Sequence, residues 1–305
     1  MQLSRRSALS SGLCLCCLPT QAAQTQLQQV APGLHIRRGL TADATPTNAD
    51  AIANIGFIIG RDAVAVIDPG GSLSDGLSLR RAITQTTQKP IRYVILSHVH
   101  PDHIFGAAAF HQDHPVFVGH AKLPEALSAR GAYYQSALEA VLGKGQAGPI
   151  VIPTLLIQAP QNLDLGNRVL TLHPHPPAHT SCDLSVLDHQ TQTLLTGDLL
   201  FVDRVPALDG SLSGWLAELT ALETSGATTA VPGHGPAIVA WPQSAANIRR
   251  YLTVLQHDTR QAVAAAVPIQ QATLQVAASE RDKWQLFDDY NPRNVIEAYR
   301  QIEWE

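Results

Sequence analysis

The stretch Ser97-His98-Val99-His100-Pro101-Asp102-His103 follows directly on the apolar run Tyr93-Val94-Ile95-Leu96. A short apolar run bounded by polar loop residues reads as a buried strand. Four residues with metal-binding side chains, His98, His100, Asp102 and His103, then stand together at the end of that strand. His98 and His100 are two apart and point together into one site. With a third ligand they give zinc a tetrahedron with one position left for water. Asp102 and His103 lie on the far side of the same loop and serve a second metal beside the first. Two such ions lower the pKa of a shared water toward neutrality and polarise a carbonyl or phosphoryl oxygen.

The rest of the chain supplies a scaffold of alternating strands and helices. Ile55–Ile59 and Ala63–Ile67 flank Gly60-Arg61-Asp62 and form a hairpin of buried strands. Ser74 to Thr86 has helical spacing, with Ser74 as its cap. Ile104 to Phe110 starts a helix, Val116 to Val118 is a strand, and Ala121 to Leu142 is a pair of helices. Leu163 to Leu170 is a hairpin with a Gly-Asn turn. Leu184 to Leu187 and Thr193 to Leu195 form another. Leu212 to Leu222 is helical, and the strand Thr228 to Val231 ends at Pro232-Gly233-His234-Gly235. Helical periodicity from Trp241 onward is interrupted near Pro268. Strands interleaved with helices, each strand ending in a polar loop, give an α/β protein of layered αββα architecture. Loops at strand ends are where such folds carry their chemistry.

A third imidazole for the first metal has four candidates: His173, His175, His179 and His189. His173 and His175 sit among Pro174, Pro176 and Pro177 in an extended loop. His234 lies between two glycines that permit a tight backbone aiming a side chain. Asp198 follows a strand and Gly197. Asp68, after Val66-Ile67, accepts a hydrogen bond from a ligand imidazole or caps a turn. Cys182 reads as a small buried residue. Arg204, Trp215 and Tyr133 have no spacing that would make them site residues.

Residues 1–23 read as an export signal. Ser4-Arg5-Arg6-Ser7-Ala8-Leu9 is a twin-arginine pattern, an apolar run Leu9 to Leu18 follows, and Thr20-Gln21-Ala22 offers small residues for cleavage. The run is too short to span a membrane, so a periplasmic location without a transmembrane anchor is expected. Three of the 4 cysteines lie in this leader, leaving only Cys182 and no intramolecular disulfide. The net charge of −4 excludes the basic stripe that nucleic-acid binding requires.

The stretches HVHPDHIFGAAAF, FVGHAKLPEAL, AHTSCDLSVL, TGDLLFVDRVPALDGSLSGWL, VPGHGP and DDYNPRNVIEAY resemble metallo-β-lactamase-fold hydrolases. Among these the chain is most similar to the quinoprotein relay system zinc metallohydrolase family, over nearly all of the sequence after the leader. The resemblance implies a four-layer αββα metallo-β-lactamase sandwich at residues 27–240. A C-terminal helical extension at 241–305 would pack on it. It implies one zinc on His98, His100 and His179, a second on Asp102, His103 and His234, and Asp198 bridging the two. His179 is favoured because His-Thr is followed by Asp183 and then a strand. The family's Gly before this histidine is replaced by Ala178, and Ser181-Cys182 follow the threonine. The bridging Asp is closer to glyoxalase II-like enzymes than to zinc β-lactamases, which carry Cys there.

The implied reaction is attack of a metal-bridged hydroxide on an ester, thioester or lactam-like carbonyl of a small-molecule substrate. Asp102 orients the nucleophile and Asp198 holds both ions. Two other readings share these residues. One is a mononuclear iron enzyme that oxidises persulfides. The other is a metal-bearing accessory protein with a quinoprotein or cytochrome partner.

Overall fold

The computed structural model describes residues 26–304. The expected leader and its three cysteines lie outside the described residues.

Two sheets face each other. The first holds β1 (Leu27–Ala31), β2 (Leu34–Arg37), β3 (Ile55–Ile59), β4 (Val64–Ile67), β5 (Ile91–Leu96), β6 (Val116–His120) and β7 (Leu155–Ile157), in that spatial order. The second holds β8 (Gln161–Asp164), β9 (Val169–Pro174), β10 (Leu184–Asp188), β11 (Thr193–Leu195), β12 (Thr229–Val231) and β13 (Val239–Ala240). In the first sheet β4, β5, β6 and β7 run parallel, and the earlier strands pair antiparallel.

Side-chain alternation along the strands builds three apolar layers. Ala65, Ile67, Ile95 and Val118 point from the first sheet toward Leu170, Leu172, Val186 and Val231 of the second, closing the core between the sheets. Their neighbours Val64, Val66, Val94 and Phe117 point the other way. There they meet Leu79 and Ile83 of α1 (Leu73–Thr86) and Leu127 and Leu138 of α3 (Leu123–Leu142). Leu194 and Ala230 leave the second sheet outward. They join Trp215 and Leu219 of α4 (Leu212–Leu222), Ile248 and Leu252 of α5 (Ala245–Ala264), Ala272 of α6 (Ile269–Gln275), and Val295 and Ala298 of α7 (Phe287–Ile302). β4, buried along its whole length, needs a continuous apolar run, whereas β9 alternates buried positions with exposed or half-buried ones. The αββα class is as expected, with the C-terminal helices sharing the outer core of α4. No helix among the described residues is long and apolar enough to cross a membrane.

Three local expectations differ from what is observed. Residues 123–142 form one continuous helix, not two. Gly131 sits inside it, buried where a Cβ would press on Ile150. A packed mid-helix glycine costs about 1 kcal/mol and need not break the helix. The cap of α1 is Ser72, whose hydroxyl accepts the Asp75 N–H at 3.2 Å, two residues before the expected Ser74. The helix expected from Ile104 is already ending there. Pro101–Ile104 forms a single turn, α2, and a 3-10 segment starts at Ala107. Gly106 intervenes, with its N–H on Gly70 O at 2.7 Å and its Cα against Pro69 and Gly76. That close approach pins the loop after the histidine cluster to the end of β4.

Candidate metal centre

The first histidine loop leaves β5 at its C-terminal end, and three other loops arrive beside it. The β9–β10 loop brings His179, the turn after β11 brings Asp198, and the turn after β12 brings His234. Parallel pairing of β11 with β12 sets the last two side by side, with Leu195 in register with Val231.

Two groups of donor atoms result. His98, His100, His179 and Asp198 form one; Asp102, His103 and His234 form the other. Within each, one ligand atom per residue lies within 4.8 Å of every other. Asp198 faces both. Its Oδ2 is 3.4 Å from His179 Nε2 and 3.7 Å from His98 Nε2, and its Oδ1 is 3.0 Å from His103 Nε2 and 3.5 Å from His234 Nε2. Asp102 Oδ2 lies 3.2 Å from His234 Nε2 and 3.6 Å from His103 Nε2.

The outward nitrogen of every imidazole is held by an oxygen. His98 Nδ1 meets Ser97 Oγ at 2.9 Å, and His103 Nδ1 meets Asp68 Oδ2 at 2.7 Å. His179 Nδ1 donates to Ala207 O at 2.7 Å, and His234 Nδ1 to Ile52 O at 3.0 Å. His100 is the reverse: its Nε2 meets Asp209 Oδ2 at 3.0 Å, and its Nδ1 faces His179 Nε2 at 3.0 Å. Inward, His98 Nε2, His103 Nε2 and Asp198 Oδ1 are fully buried and make no hydrogen bond. A buried polar atom without a partner costs about 1–3 kcal/mol, so three converging in one place call for a ligand. Imidazole nitrogens and carboxylate oxygens are the donor set of a zinc-like divalent ion, and oxygen-held outer nitrogens are how such imidazoles are oriented.

Residues 49–234, more than half of the chain, match the Metallo-beta-lactamase superfamily. The chain belongs to the metallo-beta-lactamase superfamily. A Streptococcus pyogenes protein described as a probable metallo-hydrolase is 24% identical over 209 residues, 64% of this chain and 84% of the relative. The metallo-beta-lactamase from Pontibacter korlensis superposes with a TM-score of 0.62 at 15% identity, covering 75% of this chain and 98% of that one. The stereoselective inverting sec-alkylsulfatase Pisa1 from Pseudomonas sp. gives 0.68 at 18% identity, covering 91% of this chain but only 50% of that one.

In this member of the metallo-beta-lactamase superfamily the protonation states follow from charge crowding. Burial disfavours a charge on His98 and His179 and pushes both pKa values down, that of His98 furthest, so both imidazoles are neutral. Burial alone would raise the carboxyls of Asp102 and Asp198, but the neighbouring His103 and His234 outweigh it and hold both below the usual carboxylate range. His103 goes the other way. Burial opposes its charge, yet Asp198, Asp102 and Asp68 surround it and raise its pKa well above the ordinary value. Three carboxylates crowd one imidazole, a negative field that a metal cation would neutralise.

The four candidates for the third imidazole are separated by the fold. His179 lies in the first group. His175 is buried elsewhere, between Glu218 Oε2 at 2.7 Å and Ser185 Oγ at 2.8 Å. The His173 ring lies tilted beside that of His175, and His189 bonds Thr171 on β9. Of the two roles open to Asp68, the structure shows a contact with an imidazole, His103 Nδ1 at 2.7 Å. Cys182 is buried in the layer between the first sheet and its helices and belongs to neither donor group. Of the three unassigned residues, Trp215 is a core side chain whose ring packs 5.1 Å from that of His179. Arg204 Nη1 lies 3.2 Å from His234 Nδ1, and Tyr133 is exposed.

Sequence reasoning missed the outer partners Ser97, Asp209, Ala207 and Ile52. Three of them are remote in sequence from the imidazoles they hold, Asp209 by 109 positions, and no local spacing marks them. Gly233 has a detectable signal in the Pro-Gly-His-Gly motif. A Cβ there would overlap Asp198 Oδ1, so the glycine makes room for the carboxylate facing both groups. Gly235, at φ +120, is in a backbone region reserved for glycine.

Proposed function

We propose that this chain is an exported zinc-dependent hydrolase that holds two metal ions and cleaves an ester, thioester or lactam-like carbonyl. The observation that carries this reading is the position of Asp198. One buried carboxylate faces His98 and His179 through one oxygen and His103 and His234 through the other. His98, His100 and His179 would hold the first ion, Asp102, His103 and His234 the second, with Asp198 between them. Such a pair, when bound, lowers the pKa of a water and polarises the substrate carbonyl.

The chain's own groups do the rest. Asp102 is the more open of the two acids, its side chain 13% exposed against 3% for Asp198, so it can orient the attacking water from the solvent side. A groove of about 420 Å³ is lined by Val99, Ala126, Pro177 and Asp209, whose carboxylate meets His100. It is within the size range of small-molecule sites and would receive the substrate's arm. The twin-arginine leader supports export to the periplasm. Association with a quinoprotein oxidation system rests on the resemblance of motifs.

The test is hydrolysis of a nitrophenyl ester, a thioester, a cephalosporin and, because a sec-alkylsulfatase shares the fold, a secondary alkyl sulfate. Turnover of a carbonyl substrate that is lost with a chelator, restored by zinc and absent in Asp198→Ala is expected. Zinc-loaded protein that cleaves only the sulfate, or none of the four, would contradict the carbonyl reading.

A further inference from the structure

His100 is the one imidazole of the centre turned the opposite way, with Nδ1 toward the other donors and Nε2 outward on Asp209 Oδ2 at 3.0 Å. That same oxygen accepts from Tyr134 Oη at 3.3 Å and from Arg130 Nη1. Arg130 and Tyr134 are one turn apart on α3 and so share a face. The Asp209 N–H also donates to His179 O at 3.0 Å, tying the loop to a second imidazole residue. An imidazole that donates from Nε2 has its lone pair on Nδ1.

We propose that Asp209 is a positioning residue that holds His100 in the Nε2–H tautomer, leaving Nδ1 to face the metal, and that Arg130 and Tyr134 of α3 hold Asp209 in place. The proposal rests on the metal-centre reading above and adds a helix to it. Arg130 and Asp209 also line the groove beside His100. The wall that meets the substrate's arm and the support of one metal-facing imidazole are therefore the same ion pair. An amide at position 209 keeps the shape but loses the charge that attracts both the imidazole N–H and the guanidinium.

The experiment compares the full chain after leader removal as wild type, Asp209→Asn, Arg130→Ala, Arg130→Lys and Glu223→Gln. Zinc affinity is read by chelator competition, and the His100 tautomer by imidazole 15N spectra of the metal-free protein. Asp209→Asn is expected to weaken zinc binding by about 10- to 100-fold and to give His100 a mixture of tautomers. Arg130→Ala should shift both in the same direction by less, and Arg130→Lys should recover part of the loss. Glu223 pairs with Arg249 at 2.6 Å on the outer helical layer, outside the groove, so Glu223→Gln should match wild type. Wild-type zinc affinity and an unchanged His100 tautomer in both Asp209→Asn and Arg130→Ala would overturn the proposal. A wild type that binds no zinc, with the tautomer still shifted in Asp209→Asn, would defeat the metal reading and leave the positioning role standing.

Discussion

Asp68 Oδ2 lies 2.7 Å from His103 Nδ1 and 2.8 Å from Ser97 Oγ, and that hydroxyl in turn reaches His98 Nδ1 at 2.9 Å. One buried carboxylate thereby supports an imidazole in each donor group. Asp68→Asn is expected to weaken zinc binding at both sites, by about 10- to 100-fold, where replacing the partner of a single imidazole affects one. Asp68→Ala should lose more, since the backbone there has φ 52 and alanine tolerates that region poorly. Stepwise chelator titration distinguishes the two patterns. Weakening of a single site would show that the Ser97 link carries nothing.

The metal loop was readable because its four donors are local: a strand end and a four-residue cluster fix each other. His179, Asp198 and His234 were readable from short motifs after strands, but only the packing of the two sheets shows that Asp198 faces both groups. Ambiguity among His173, His175, His179 and His189 could not be resolved from proline spacing. It depends on Glu218 of α4 capturing His175, a contact between residues 43 positions apart. The helix pair expected at 121–142 is a single helix at 123–142, in which Gly131 is buried against Ile150, a tertiary fact that local spacing does not show.

The C-terminal helices reach the centre through Asn294. Its side chain donates to Pro206 O at 2.7 Å and to Tyr251 Oη at 2.8 Å, and accepts the Leu208 N–H at 2.8 Å. Residues 206–208 flank Ala207, the partner of His179, and lead into Asp209, the partner of His100. Asn294→Ala leaves buried groups unpaired and should destabilise the fold by about 2–4 kcal/mol. It should also lower zinc affinity even where the protein remains folded. Denaturant unfolding together with chelator titration reads both. A stability loss with unchanged zinc affinity would confine Asn294 to the helical layer.

Burial pushes the Cys182 thiol up to about 12, and its neighbours Val99 and Thr180 enclose it. Thiolate is the reactive form, so a disulfide reagent at pH 8 should leave native Cys182 unmodified and titrate it only on unfolding. Rapid modification of folded protein would mean that the 180–183 loop opens.

Glu280 is a buried carboxylate that accepts from Arg250 Nε at 3.1 Å, Lys283 Nζ at 2.7 Å and Trp284 Nε1 at 3.2 Å. Burial alone would raise its pKa, but these donors outweigh it and hold the carboxyl below its ordinary value. A depressed folded pKa gives stability that is present above the unfolded value and lost as pH falls through the folded one. Glu280→Gln should therefore cost about 1–2 kcal/mol at neutral pH, and the gap from wild type should close on acidification below pH about 4. Urea unfolding across that range measures it. A gap that widens toward acid would mean that the folded protein holds the Glu280 carboxyl above its ordinary range.

Elemental analysis of protein purified without chelators, beside Asp198→Ala, tests the two-metal centre most directly. About two zinc per chain, falling in the variant, is the expected result. Iron near one per chain, or no bound metal at all, would contradict it.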